Sequence, residues 1–173
     1  MCGRYVSPEG TEICPGDLAA VLTPCGSEQM HWGLPHSDGR LLINARSETA
    51  ADKPRFAHAM QTGRCLIKAA AFFEWNERRQ RHIYTSAHQE TLYLAALYML
   101  CDDGKKHFAV LTQEAAGEAQ KVHPRMPCFL PSDEYRHLWL SNSDMAPHLL
   151  KEHIPLIVSP VPRETEQTSL FEC

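Results

Sequence analysis

The chain has 173 residues, 43% of them hydrophobic and 22% charged, with a formal net charge of -4 at pH 7. Those values fit a globular protein with one core and exclude a disordered or fibrous chain. They also exclude strong whole-molecule attraction for nucleic acid, so any phosphate contact has to be local.

The opening stretch, MCGRYVSPEGTEICPGDL, has neither the basic leader nor the apolar run of a secretion signal. The longest apolar run, LYLAALYMLC at 92–101, is far short of the roughly 20 residues that span a bilayer. The expectation is a cytosolic protein without a membrane partner. Cys2, Cys14, Cys25, Cys65, Cys101, Cys128 and Cys173 make no CxxC pair and no zinc-ligand spacing. Scattered reduced thiols, with no metal and no cofactor, are therefore expected.

In chain order, 17–22 reads as a short helix after the Pro15-Gly16 turn, and 41–45 as a strand. A longer helix is expected over 48–61, closed by Gly63. Strands are expected over 65–75, 82–86, 91–100 and 107–112, where aliphatic and aromatic residues concentrate. Asp102-Asp103-Gly104 signals a turn that makes a hairpin of the last two. Helices are expected over 132–140, with Ser132 as N-cap and early acids, and over 145–153. An edge strand over 155–161 and a mobile tail would finish the chain, giving one domain over 1–160 and a tail over 161–173. The order predicts an α+β fold of mostly antiparallel strands with peripheral helices.

Chemistry concentrates in MHWGLP (30–35), NARSET (44–49), AFFEWNE (71–77) and VHPRMP (122–127), where ionisable groups flank apolar residues at predicted strand ends. Taken singly, each has an ordinary explanation: a solvent-facing Glu74, a loop His123, turn-forming Asn44 and Arg46, a core Trp32. The start of the chain adds Cys2. Initiator methionine is commonly trimmed before a small residue, which would leave a free amine and a thiol on adjoining carbons.

MCGRY, WGLP, NARSET, FFEW and HPRMP occur in the order and approximate spacing of the SOS response-associated peptidase (SRAP) family, which the chain resembles over about residues 1–140. The resemblance implies a barrel-like core of mostly antiparallel strands with flanking helices, and a monomer that binds single-stranded DNA and crosslinks to its abasic sites. It implies Cys2 as the crosslinking residue, Asn44 as its positioning partner, and Glu74 and His123 as the acid–base and polarising pair. Arg4, Arg46 and Arg125 are the phosphate contacts it implies, and Trp32 lies on the segment expected near the lesion. Peptidase self-processing and strand cleavage are further activities it implies. The chain departs from the family at KAAAFFEW, where Lys68, Ala71 and Phe73 replace a proline, a glycine and a tyrosine.

These residue types suit that reaction. An amine attacks the aldehyde of an opened abasic sugar, and a thiol one carbon away closes a five-membered thiazolidine on the resulting imine. An α-amino group with a reference pKa of about 7.7–8.0 is partly neutral near pH 7, and a thiol near 8.5 would need little help to ionise. Two other functions fit the same residues: an N-terminal cysteine peptidase or amidase, and a single-stranded DNA binder without covalent chemistry.

Overall fold

A computed structural model describes residues 2–162. Strands β1 (Arg4–Val6), β2 (Glu12–Ile13), β3 (Leu18–Thr23), β4 (Gly26–Trp32), β5 (Leu34–Pro35), β6 (Leu41–Leu42) and β7 (Asn44–Arg46) precede helices α1 (Ser47–Ala50) and α2 (Pro54–Thr62). Next come β8 (Arg64–Ala69), β9 (Ala71–Trp75), β10 (Arg81–Ser86), β11 (Leu92–Leu100), β12 (Lys106–Glu114) and β13 (Arg125–Pro127), then α3 (Asp133–Ser141) and β14 (Leu156–Pro160). Two 3-10 helices, Gly117–Lys121 and Ala146–Lys151, complete the described elements.

Five strands in the order β11-β8-β3-β4-β12 close into a barrel because β11 also pairs with β12. All of its ladders are antiparallel except β4 with β12, so the barrel is mixed. Beyond the barrel, β12 takes β7 in parallel and β13 antiparallel. The second sheet, β14-β10-β9-β1-β2, is antiparallel throughout. One apolar cluster holds Tyr5, Trp32, Phe72, Tyr84, Phe108 and Phe129 from both sheets. A second cluster packs Phe56 and Met60 of α2 and Trp139 of α3 against Leu66, Leu97 and Leu111. The α+β expectation therefore holds.

Several local expectations change. Residues 17–22 are not helical: Leu18, Ala19, Ala20, Val21, Leu22 and Thr23 alternate exposed and buried, and form β3 between β4 and β8. That alternation is the period of a strand, and burial along it outweighs the helix preference of Leu-Ala-Ala. The 48–61 helix is interrupted before Pro54, which has no N–H to continue a ladder and instead opens α2 at its first turn. The 65–75 strand divides at Ala70, where the chain leaves the barrel for the second sheet, the Ala70 N–H donating to the Val6 carbonyl at 2.8 Å. Residues 145–153 supply a 3-10 turn over Ala146–Lys151. The β11–β12 hairpin, the Ser132 cap of α3 and the edge position of β14 are as expected. The proposed tail, apart from Val161 and Pro162, lies outside the described residues, as does Met1.

Gly63 ends α2 for a reason other than the one expected. Its φ of -122° is open to any residue, so no left-handed cap is needed. What a side chain lacks there is room: a Cβ would sit 2.2 Å from the Tyr98 carbonyl oxygen, while the Tyr98 N–H donates to the Gly63 carbonyl at 2.7 Å. The buried Arg64 next to it donates to the carbonyls of Met60 and Gln61 at 2.6 and 2.7 Å, and so satisfies the open end of α2. Gly63→Ala should therefore destabilise the protein by at least about 2 kcal/mol, since the obstacle is backbone and cannot rotate away. Urea denaturation of the variant checks this, and an unchanged midpoint would refute it.

Candidate functional site

Cys2 precedes β1, whose pairing of Arg4 with Phe73 runs the start of the chain along β9. Glu74 is the next residue of β9, and its side chain shares a face with Phe72 and therefore points toward the apolar interior. Asn44 opens β7, fixed by pairing with Val110 of the barrel strand β12. His123 closes the turn after the Gly117–Lys121 helix, just before β13. Four segments far apart in sequence thus converge at one end of the second sheet.

The Asn44 side-chain amide donates to the Cys2 carbonyl oxygen at 2.8 Å. Its Oδ1 is buried and accepts no hydrogen bond from the described residues, so one acceptor is open to a ligand. Cys2 is fully buried. Burial first, and the negative charge of Glu74 second, push its thiol far above the ordinary range. The thiol at pH 7 is therefore neutral, which corrects the expectation of easy ionisation.

Glu74 is 2% exposed, and burial raises its carboxyl from 4.5 to about 7. A group poised there can both give and take a proton near neutrality. His123 Nδ1 lies 4.0 Å from Glu74 Oε1, within ion-pair reach but too far for a direct hydrogen bond. The Arg125 backbone N–H donates to that same Nδ1 at 3.0 Å. The Arg125 carbonyl oxygen also lies 3.0 Å from Nδ1, so the Arg125 backbone holds the ring at that nitrogen in either tautomer, and burial lowers the pKa of the ring.

The four residues expected to carry the chemistry are brought together, whereas the four expected to hold DNA are not alike. Arg46 is exposed. Arg4 is half exposed and pairs with Glu12 at 2.7 Å. Arg125 is clamped instead: it donates to both carboxylate oxygens of Glu48 at 2.6 and 2.9 Å and to the Thr112 carbonyl at 2.5 Å. With both terminal nitrogens of its fork engaged by the chain itself and its Nε buried, Arg125 ties HPRMP to NARSET rather than facing solvent. Trp32 is fully buried between Tyr5 and Phe108, with its indole N–H donating to the Ile43 carbonyl at 3.0 Å. It is a core residue and presents no face to a base, which corrects its expected place at the lesion. The Arg125–Glu48 pair spans 77 positions, and no local pattern announces it.

An open cleft of about 890 Å³ adjoins His123 and is bordered by Trp75, Arg78, Gln80, Lys121 and Pro124. No group of three or more His, Cys, Asp or Glu side chains among the described residues is arranged to hold a metal ion. No described helix is long and apolar enough to cross a membrane.

Residues 4–167 match the family described as SOS response associated peptidase (SRAP). The chain belongs to that family. It is 28% identical over 167 residues to the abasic site processing protein YobE of Bacillus subtilis, an alignment covering 83% of this chain and 76% of that one. It is 27% identical to the abasic site processing protein YoqW of the same species, over 87% and 85% of the two chains. Against YoaM of B. subtilis the 27% identity covers 69% of this chain and 56% of the relative, so the chain spans little more than half of that relative's length. Among solved structures, one protein from Bordetella bronchiseptica superposes with a TM-score of 0.80 at 20% identity, covering 94% of this chain and 100% of its own. That likeness establishes the SRAP-type fold.

The site's electrostatics set a pH dependence. A carboxyl whose folded pKa is raised from 4.5 to about 7 binds its proton more tightly when folded. Its burial is harmless below pH 4.5 and costs stability progressively as pH rises to 7. Glu74→Gln should therefore match the parent in stability at pH 4 and exceed it at pH 8 by up to about 3 kcal/mol. Urea denaturation at both pH values tests this, and equal gains at the two would refute it. Arg125→Ala, by contrast, should lower stability by about 1–3 kcal/mol, because it leaves Glu48 and the Thr112 carbonyl without their donor. Thermal unfolding of Arg125→Ala beside Arg46→Ala checks the contrast, since the exposed Arg46 should change little.

Proposed function

We propose that the protein, once Met1 is removed, binds single-stranded DNA and joins itself to abasic sites through Cys2. The observation that carries this reading is the Asn44 bond to the Cys2 carbonyl, which holds the first residue of the mature chain beside a carboxyl that titrates near 7. Membership of a family whose relatives are named for abasic site processing supports the choice of substrate.

In the proposed reaction the Cys2 amine attacks C1′ of the open-chain sugar, and the carbonyl oxygen takes up a proton to give a carbinolamine. Glu74, present in both forms near neutrality, accepts a proton from the nitrogen and donates one to the departing hydroxyl, so one water leaves and an imine remains. His123, 4.0 Å from Glu74, is suited to hydrogen-bond that oxygen. The thiol sulfur then bonds to the imine carbon, and the thiol proton passes to the imine nitrogen, closing the thiazolidine. A neutral thiol serves this last step, because the proton it carries is the one the nitrogen needs. Lys68 does not compete: it is exposed on β8, where its ammonium lies 6.0 Å from the Tyr93 ring.

The test is a denaturing gel after incubation with single-stranded oligonucleotides that carry or lack one abasic site. The parent should give one heat-stable, stoichiometric product with the abasic strand alone. Cys2→Ser, which keeps the amine, should give a product that survives only after borohydride reduction. Glu74→Gln should give the parent's product about 10²–10⁴-fold more slowly. A Cys2→Ser product stable without reductant would sink the thiazolidine, and peptide turnover without any DNA-linked product would favour an amidase.

A further inference from the structure

The sheet that carries Glu74 carries a second ionisable group on the same face. Tyr84 of β10 pairs with Phe72 of β9, and the two rings stack with centroids 4.5 Å apart. Glu74 follows Phe72 by two positions, so it emerges on the face of β9 that Tyr84 covers, one diagonal place along. Tyr84 is 1% exposed, yet its hydroxyl meets no hydrogen-bond partner among the described residues. Burial first, and the charge of Glu74 second, raise the pKa of the phenol, so it keeps its proton throughout the range in which Glu74 titrates. A phenylalanine would fill the same space without burying a hydroxyl, and a buried hydroxyl left unpaired costs stability. That cost is offset in a state that supplies an acceptor, and the acceptor whose charge acts on Tyr84 is Glu74.

Resting on the crosslinking reading above, we propose that Tyr84 is a positioning residue of that reaction: its hydroxyl donates to the Glu74 carboxylate whenever that group is ionised. A protonated Glu74 has an O–H of its own, whereas an ionised one accepts at both oxygens. A hydrogen bond to the charged form favours that form, and so opposes the burial that drives the carboxyl upward. Tyr84 thereby holds the midpoint of Glu74 lower than burial alone would set it, and keeps the base form available to the attacking amine. The other titratable groups against the pair are the Cys2 thiol at the start of the chain, His123 with its Nδ1 4.0 Å from Glu74 Oε1, and His82, opposite Glu74 on β10. Arg125 of β13 acts on the His123 ring, and β14 sets Val158 opposite Tyr84 and brings no charged residue. None of these groups hydrogen-bonds the Tyr84 hydroxyl.

The test compares the parent with Tyr84→Phe, which removes the oxygen and keeps the ring. The carbon-13 resonance of the Glu74 carboxyl, followed against pH without DNA, should titrate about one pH unit higher in the variant, a tenfold gain in proton affinity. At pH 4 Glu74 is protonated in both folded chains, so Tyr84→Phe should equal or exceed the parent in urea midpoint. At pH 9 the parent holds a bonded carboxylate and the variant an unbonded one, so the variant should fall below it. In a Glu74→Gln background no carboxyl titrates beside the ring, and the effect of Tyr84→Phe should be the same at both pH values. A merely structural hydroxyl would shift stability equally at pH 4 and pH 9 in either background and leave the Glu74 midpoint in place, which would overturn the proposal. With an abasic oligonucleotide, Tyr84→Phe should crosslink up to about tenfold more slowly at pH 6, the deficit shrinking as pH rises. A moved Glu74 midpoint with no DNA-linked product from the parent would retain the Tyr84–Glu74 bond and discard the crosslinking reading. An unmoved midpoint with normal crosslinking would do the reverse.

Discussion

The hydrogen bond from Asn44 to the Cys2 carbonyl joins the start of the chain to a strand 42 positions away, and the site depends on it. Without it, Cys2 keeps its place in the apolar cluster and the β1 pairing that begins at Arg4, but loses its tie to β7. Asn44 owes its own place to β12, which pairs with β4, β7, β11 and β13 and so belongs to the barrel and to the site at once. The same strand supplies the Thr112 carbonyl that holds Arg125, and the Arg125 backbone in turn orients His123. One rigid strand therefore positions Asn44 directly and His123 at one remove. Groups mounted on paired strands lose little order when a ligand arrives, which favours attack in a fixed geometry.

Burial shapes the reactivity of this end of the sheet more than charge pairing does. It is the largest influence on Cys2, Glu74 and His123, and in each case it favours the neutral form. The cost of holding a carboxyl in such surroundings falls on stability near neutral pH. Proteins commonly accept such costs where a group has to exchange protons near its working pH. Tyr84 belongs to the same environment: its buried hydroxyl has no hydrogen-bond partner among the described residues, and burial raises its pKa.

The long strands, the β11–β12 hairpin and the α3 cap were legible in the sequence because each is announced within a few residues. What was not legible depended on distant partners. The alternation in LAAVLT was visible, yet its Leu-Ala-Ala stretch also suits a helix, and only β4 and β8 on either side decide the matter. The break at Ala70 falls within Ala69-Ala70-Ala71, where no glycine or proline marks a change of sheet. In the site, Asn44, Glu74 and His123 were found through motif order, not through any property of the single residues. Trp32 was misplaced for the reverse reason, since adjacency to a motif says nothing of which way an indole points.

The arginines show the same limit from the side of function. Arg125 sits in the motif beside His123, and a motif reading gives it to the ligand. The fold gives it to Glu48 and Thr112, which engage both terminal nitrogens of its fork, and buries its Nε. Its part in the site is then indirect: by clamping β13 to the α1 end, it fixes the backbone that hydrogen-bonds Nδ1 of the His123 ring. A charged side chain spent in this way contributes geometry, not attraction. Since the chain as a whole is negative, the attraction that the proposed binding of an anionic strand requires has to come from side chains whose donors the fold leaves open, and motif membership does not identify them.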